Sequence, residues 1–373
     1  MDAFPLVSAN LEECNLLPAQ IDRLCALIEQ HIAEGRYPGA QIALARHGKL
    51  AVARTFGQAI TTPQPVTAQP DTLWLLYSNT KPLTAACLWL LAEEGALSFS
   101  DKVADHIPEF ARNAKGDVTL LQLLTHRGGF PMSAMPASAW EDHDELRQRV
   151  CDFTLEWAPG SRCIYHASSA HWTAAVVIER LTGKDYREYL RDRLIAPLGL
   201  GDELFVGVPP AEDARCAHMY QMAGTTMEPD PRDCSRAFRA AGIPGGGAFG
   251  TARAMVTFYQ MLLNGGELGG KRFFSPRMLA YAIRDWTDGM KDGELFVHRG
   301  IGPYLRGDRE PRHNFGSIAT PGTFGHEGAG SSICWADPVS GVSFAYVSNC
   351  RQVDPWHGRR MDLISSLAHA AIV

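Results

Sequence analysis

The stretch Ser78-Asn79-Thr80-Lys81 decides how the rest of the chain is interpreted. It follows the strand-like run 72–77 and opens the apolar stretch 83–91. A serine in the first turn of a helix, with a lysine three residues later, places both side chains on one face. An unprotonated lysine there could take the serine's proton and make it a nucleophile, and helix amides near Ser78 could receive an oxyanion. Chance alone can supply so short a motif, so it needs partners elsewhere in the chain.

The composition is that of an ordinary globular protein. The chain has 373 residues, of which 46% are hydrophobic and 20% are charged, enough for one large or two medium domains. Its net charge is −6 and no basic stripe is visible, so we expect no nucleic-acid partner. No apolar run reaches the roughly 18 residues of a membrane span. Nothing in the sequence predicts an oligomeric state.

The start of the chain and its cysteines predict a compartment. The segment 1–5 carries neither a basic region nor a long apolar core, so we expect no signal peptide. The cysteines number nine, an odd count, and none lies in a Cys-x-x-Cys pair. That pattern is typical of free buried thiols in a reducing compartment. The sequence therefore predicts a cytoplasmic protein.

Strand signals lie at both ends of the chain and helical patterns lie between them. Hairpins are predicted at 41–53 and 332–347. Helices are predicted at 18–35, 83–94, 120–124, 145–153, 170–181, 186–194, 251–264, from 275, and at 358–373. We therefore predict an α/β (α+β) fold with one antiparallel sheet flanked by helices. Residues 1–83 and 246–373 would form this domain, and 84–245 an inserted, mainly helical domain, with the active site in the cleft between them.

Several common motifs are absent or unconvincing. No serine lies in Gly-x-Ser-x-Gly, and the chain contains no P-loop. The run 245–250 matches Gly-x-Gly-x-x-Gly, but it follows no predicted strand and is interpreted as a tight turn before a helix. The acidic run 141–145 is interpreted as a solvated helix start. No His-Glu-x-x-His occurs, so neither a catalytic metal nor a cofactor is expected.

Two further stretches fit the chemistry of Ser78. One is the turn 159–167, which delivers Tyr165, and the other is the Gly-rich run 325–330 entering a late strand. With these three motifs in order, the chain resembles the serine β-lactamase and penicillin-binding-protein superfamily, and most of all class C β-lactamases and the related family VIII carboxylesterases. The resemblance covers nearly the whole chain and includes the segments 123–129, 197–200, 246–253 and 262–266.

The resemblance assigns roles residue by residue. It implies that Ser78 is the acylated nucleophile, that Lys81 and Tyr165 transfer protons, and that the N–H groups of Ser78 and Ala329 form the oxyanion hole. Which of Lys81 and Tyr165 is the base stays open. Small Gly328 and Ala329 suit a strand that a substrate carbonyl approaches closely.

Two departures from the lactamase pattern point to the substrate. Tyr165-His166-Ala167 stands where those enzymes have Tyr-x-Asn, and His326-Glu327-Gly328 replaces their lysine-led third motif. Ala167 cannot hydrogen-bond an acylamino group, and a histidine offers no fixed charge to a drug's carboxylate. Glu327, if it faces the cleft, would repel that carboxylate. We therefore expect a small, neutral ester as substrate, contacted by Ala329, His326, Gly328 and His166.

The favoured hypothesis is a serine carboxylesterase acting on short-acyl esters. An acyltransferase using the same acyl-enzyme, or weak β-lactamase or D-amino-acid peptidase activity, remains an alternative. A further hypothesis is a catalytically inactive scaffold or interaction protein with the same fold. The intact Ser78, Lys81 and Tyr165 argue against it. Aromatic residues of the later chain are candidate pocket walls, although each is more often core packing: Trp172, Trp286, Tyr304 and Trp335.

Overall fold

A computed structural model of the protein describes residues 4–224, 226–309 and 315–373. Its helices are α1 (Pro18–Ala33), α2 (Thr80–Glu93), α3 (Val103–His106), α4 (Leu120–Leu124), α5 (His143–Asp152), α6 (Ser169–Thr182), α7 (Tyr186–Leu190), α8 (Arg236–Ala241), α9 (Ala252–Leu263), α10 (Pro276–Ala282) and α11 (Trp356–Ala370). Short 3₁₀ turns and one π turn, Arg191–Ile195, connect some of them.

The strands are mostly short. They are β1 (Val7–Ser8), β2 (Gly39–Arg46), β3 (Lys49–Ile60), β4 (Val66–Thr67), β5 (Trp74–Leu75), β6 (Leu204–Val206), β7 (Tyr220–Ala223), β8 (Thr226–Pro229), β9 (Ala248–Gly250), β10 (Glu267–Leu268), β11 (Lys271–Arg272), β12 (Lys291–Asp292), β13 (Leu295–Phe296), β14 (Tyr304–Leu305), β15 (Phe324–Gly328), β16 (Ser332–Asp337), β17 (Val342–Ser348) and β18 (Cys350–Arg351).

The main sheet joins the two ends of the chain. Its strand order is β1-β3-β2-β17-β16-β15-β14, with β4 added to β3. Neighbours run antiparallel except β1, which is parallel to β3. The hairpins β2–β3 and β16–β17 are those expected from the sequence, and β17 pairs with β2 to unite them.

The central strands are buried on both faces, because helices cover each side. Along β2, Ala43 and Ala45 enter the cluster under α9, whereas Ile42 and Leu44 enter the cluster under α1 and α11. Successive strand residues point to opposite faces. The small alanine side chains therefore let α9 approach one face of the sheet closely. The larger side chains on the other face fill a thicker layer beneath α1 and α11.

The stretch between the two sheet halves is mainly helical, as expected, but it also contains strands. β6 pairs with β9 beside β5, and β7 pairs with β18. These small sheets attach the helical stretch to the segments that flank it. The division at residues 83/84 and 245/246 into two domains stays a prediction.

Two local expectations need correction. Ser78 does not lie in an α-helix: Tyr77–Asn79 form a 3₁₀ turn, and α2 begins at Thr80. The run 245–250 is not a turn throughout, because Ala248–Gly250 is strand β9. Within the described ranges, no helix combines the length and apolar character needed to cross a bilayer.

Candidate active site

Ser78 sits on a tight turn between β5 and α2, and side chains within the turn hold it. Thr80 Oγ1 donates to the carbonyl of Tyr77 at 2.6 Å. Asn79 Nδ2 donates to the carbonyl of Leu76 at 3.1 Å and to Ser332 Oγ on β16 at 3.0 Å. The turn is thereby tied to the main sheet, and the position of Ser78 is fixed relative to it.

Lys81 lies beneath Ser78 and is fully buried. Its Nζ donates to the carbonyls of Ala167 at 2.8 Å and Gly245 at 2.6 Å, and lies 3.1 Å from Ser78 Oγ. Burial lowers the pKa of Lys81, and Tyr165 partly offsets the effect. A neutral amine would donate to the two carbonyls and keep its lone pair for the proton of Ser78.

Tyr165 completes the contacts of Ser78. Its hydroxyl lies 2.7 Å from Ser78 Oγ, and Lys81 Nζ is 5.0 Å from the centre of its ring. The His126 ring packs against it at 4.8 Å. Burial, followed by the nearby Arg299, holds the pKa of His126 well below its usual value, so this support is uncharged. The structure thus brings Ser78, Lys81 and Tyr165 together.

The end of β15 forms the opposite wall. A side chain at Gly328 would place its Cβ 2.1 Å from Ser332 Oγ and 2.5 Å from the Leu76 carbonyl. Gly328 is therefore required by the close approach of the strand to the Ser78 turn. A cavity of about 230 Å³ lies between these elements, lined by Ser78, Tyr165, Asp292, Arg299, Tyr304, His326, Glu327, Gly328, Ala329, Gly330 and His357.

The other predicted site residues divide into two groups. His326 lines the cavity, with its ring 4.0 Å from that of Tyr304, and Glu327 lines it as well. His166 is not brought to the cavity. It is buried, its Nε2 accepts from the Phe130 N–H at 3.1 Å, and its Nδ1 lies 2.7 Å from the Ile164 carbonyl. Its expected contact with substrate is therefore wrong.

Sequence reasoning missed two charged residues of the cavity wall, Asp292 and Arg299. Arg299 lies near the predicted site residue Tyr165. Its guanidinium is buried behind the cavity, 4.4 Å from the Tyr304 ring centre and 5.8 Å from that of Tyr165. Its Nε donates to Cys163 Sγ at 3.3 Å. No motif marks this arginine, although Tyr304 was a candidate wall and does line the cavity. The candidates Trp172 and Trp335 are buried in the core.

One grouping outside the cavity has the ligand types of a metal site. Atoms of His143, Glu179 and Asp185 lie within 4.8 Å of one another. However, Arg187 Nη2 already lies 2.7 Å from Asp185 and 3.4 Å from His143. A guanidinium occupies the place where a cation would bind, so the group is an ion-pair network that links α5, α6 and α7.

A family model and several known proteins resemble the chain over most of its length. The family model described as Beta-lactamase matches residues 24–366. The Esterase/beta-lactamase LipL of Mycobacterium tuberculosis is 29% identical over 75% of this chain and 70% of its own. An Escherichia coli protein named "Putative D-alanyl-D-alanine carboxypeptidase" is 25% identical over 92% of this chain and 85% of its own. The crystal structure of a family VIII carboxylesterase superposes with a TM-score of 0.79 at 28% identity, covering 96% of this chain and 98% of its own.

Proposed function

Because the chain belongs to the Beta-lactamase family and is a serine hydrolase with esterase relatives, we propose that it is a carboxylesterase. It would cleave small, neutral esters through an acyl-enzyme on Ser78. The observation that carries the proposal is the convergence on Ser78 Oγ of Lys81 Nζ at 3.1 Å and the Tyr165 hydroxyl at 2.7 Å. We further propose that it works in the cytoplasm.

The proposed reaction begins with attack of Ser78 Oγ on the ester carbonyl. Lys81 and Tyr165 take up the serine proton as a coupled pair and return it to the departing alkoxide, which leaves as the alcohol. The N–H groups of Ser78 and Ala329 receive the oxyanion. A water molecule, deprotonated by the same pair, then attacks the acyl-enzyme and releases the acid and free Ser78.

The size and wall of the cavity support the substrate class. Its volume of about 230 Å³ is below the roughly 300–1,000 Å³ of pockets for drug-sized ligands, which favours a short acyl group. Ala167 contributes only its carbonyl, which is occupied by Lys81, so no side-chain amide awaits an acylamino group. His326 stands where lactamases have their lysine. These features support an ester over a β-lactam or a peptidoglycan stem.

The direct test is Ser78→Ala, measured with chromogenic acetate and butyrate esters. We expect turnover to fall by about 10⁴-fold or more, with unchanged unfolding temperature, and intact-mass detection of an acyl adduct in the native protein only. Ser275→Ala is the matched control, because that hydroxyl only caps α10 through the Met278 N–H at 3.0 Å. Retained turnover in Ser78→Ala would remove the assignment.

The substrate class has its own discriminating measurement. Nitrocefin and D-alanyl-D-alanine peptides test the lactamase and carboxypeptidase alternatives, which the names of two relatives suggest. We expect their kcat/KM to be at least about a hundredfold below that of the acetate ester, since two groups that would bind them are replaced. Faster turnover of either substrate would contradict the ester proposal while leaving Ser78 as the nucleophile. Ester formation with added alcohols would indicate an acyltransferase.

A further inference from the structure

Tyr77, directly before Ser78, has a left-handed backbone. Its φ is +46°, in a region that bulky residues rarely enter. Its carbonyl accepts Thr80 Oγ1 at 2.6 Å, and the preceding carbonyl of Leu76 accepts Ser332 Oγ at 3.2 Å. The peptide that carries the Tyr77 carbonyl also carries the Ser78 N–H. The conformation of Tyr77 therefore sets the direction of this proposed oxyanion donor.

The side chain of Tyr77 is anchored on Asp233, which lies in the loop before α8. The Tyr77 hydroxyl donates to Asp233 Oδ2, and the two residues are only 6% and 1% exposed. Burial, and then the Asp233 carboxylate, raise the pKa of Tyr77 well above its usual value. The hydroxyl therefore keeps its proton and donates it to a carboxylate, which makes a stronger hydrogen bond than a neutral acceptor.

The loop that carries Asp233 is itself held firmly. The N–H groups of Arg232 and Asp233 both donate to Asp230 Oδ1 at 3.0 Å, and Arg232 Nε donates to Asp233 Oδ1 at 2.8 Å. Arg351, on β18, binds the other oxygen of Asp230. Asp233 is thus a fixed point that can hold Tyr77 in an otherwise disfavoured conformation.

We propose that Asp233 is a positioning residue for Ser78, which it controls through the Tyr77 hydroxyl. The anchor keeps Tyr77 in its left-handed conformation, so that the Ser78 N–H and Oγ face the substrate carbonyl. This inference rests on the proposed function and assigns Asp233 no contact with substrate, since it is not among the residues lining the cavity. Without the anchor the turn relaxes, whereas the β15 wall that contacts the substrate is unchanged. The consequence is a loss in kcat without a matching rise in KM.

The test uses Tyr77→Phe, which removes the donor, and Asp233→Asn, which keeps the shape of the acceptor but removes its charge. Turnover of a chromogenic acetate ester is measured per active site titrated with a fluorophosphonate. We expect kcat to fall by about 10- to 100-fold in Tyr77→Phe, and by a smaller factor in Asp233→Asn, with KM within about threefold of the native value. The double variant should be no slower than Tyr77→Phe, because both changes remove one interaction.

The matched control is Tyr37→Phe. Tyr37 is also buried, and its hydroxyl lies 3.2 Å from His31 Nδ1 in the cluster under α1 and α11. We expect it to lower the unfolding temperature without changing kcat.

The proposal is overturned if kcat per titrated site stays within about twofold of native in Tyr77→Phe and Asp233→Asn, or if their losses multiply in the double variant. Should Tyr77→Phe not fold, the nearly isosteric Asp233→Asn decides alone. Failure of the proposed function shows differently, as turnover that survives Ser78→Ala.

Discussion

Two lysines of this protein are buried in nearly the same way, and only one of them contacts a serine. Lys81 and Lys115 both have no exposed surface. Lys115 Nζ donates to three backbone carbonyls, of Arg112 at 2.8 Å, Cys151 at 2.7 Å and Phe153 at 2.5 Å. Lys81 Nζ donates to two carbonyls, and its third neighbour is Ser78 Oγ.

The third neighbour distinguishes a lysine that only stabilises the fold from one that could exchange a proton with a serine. We call the hydrogen-bond partners around a lysine Nζ its cage. The cage of Lys115 consists of three carbonyls, which only accept hydrogen bonds, so an ammonium with three protons satisfies it. A hydroxyl can also donate, so the cage of Lys81 fits either the ammonium or a neutral amine that receives the serine proton. Burial lowers the pKa of both lysines, to about 8 for Lys115. Burial alone therefore does not mark a lysine as a candidate base, whereas a neighbouring hydroxyl does.

Replacing each lysine by methionine should separate the two roles. Lys81→Met removes the proposed proton acceptor, and we expect kcat on an acetate ester to fall by about 10³-fold. Lys115→Met removes the ammonium that three carbonyls share and leaves those of Arg112 and Phe153 with only longer, 3.3 Å donors, the residue 115 N–H and Asn113 Nδ2. We therefore expect the free energy of unfolding to fall by about 3 kcal/mol while kcat stays within about twofold of native. Urea unfolding and steady-state kinetics measure the two effects.

Two outcomes would contradict this difference between the two lysines. If Lys115→Met loses activity per titrated Ser78 as strongly as Lys81→Met does, the two cages are not functionally distinct. If Lys81→Met keeps most of its turnover, Tyr165 alone must accept the proton.

The sequence predicted the side chains of the site better than the backbone carbonyls that surround Lys81. Ser78 and Lys81 come from one recognisable motif and Tyr165 from a second, and the structure brings them together. The acceptors around Lys81 are the carbonyls of Ala167 and Gly245. Every residue has a carbonyl, so no residue type marks those that will be brought to a lysine by the fold.

The wrong prediction at His166 has a related cause. Tyr165 and His166 are adjacent in a motif, but their side chains reach different neighbours. Tyr165 faces Ser78, whereas His166 faces the interior and binds the backbone of Phe130. In the same way, Arg299 reaches the site only through tertiary packing against Tyr304. The hairpins β2–β3 and β16–β17 were predictable, because their alternation and turns are local.

The pH dependence of turnover sharpens the comparison. Burial lowers the pKa of Lys81 from its usual 10.5, with Tyr165 opposing the shift. We expect the neutral amine to accept the serine proton, so activity should be full above the lowered pKa and should fall about tenfold per pH unit below it. We expect the acid limb of kcat/KM to lie below pH 10.5.

Lys115→Met is the control for this profile as well. Since Lys115 does not contact Ser78, its removal should leave the acid limb where it is in the native protein. A limb that moves with Lys115→Met, or a limb that lies above pH 10.5, would contradict the assignment of the limb to Lys81.

The smallest expected effect concerns the fit of the Lys81 cage. A Cβ at Gly245 would lie 3.3 Å from Lys81 Nζ and 3.2 Å from the Cβ of His171, closer than ordinary packing allows. Gly245→Ala should therefore move the amine by a few tenths of an ångström and lower kcat by about three- to tenfold, with little change in KM. Gly201→Ala is the matched control, because nothing lies within 4 Å of a Cβ there. If Gly245→Ala is as active as Gly201→Ala, the site tolerates a small displacement of the Lys81 amine. The rate would then depend on the contact between Lys81 and Ser78 and not on the exact position of the amine.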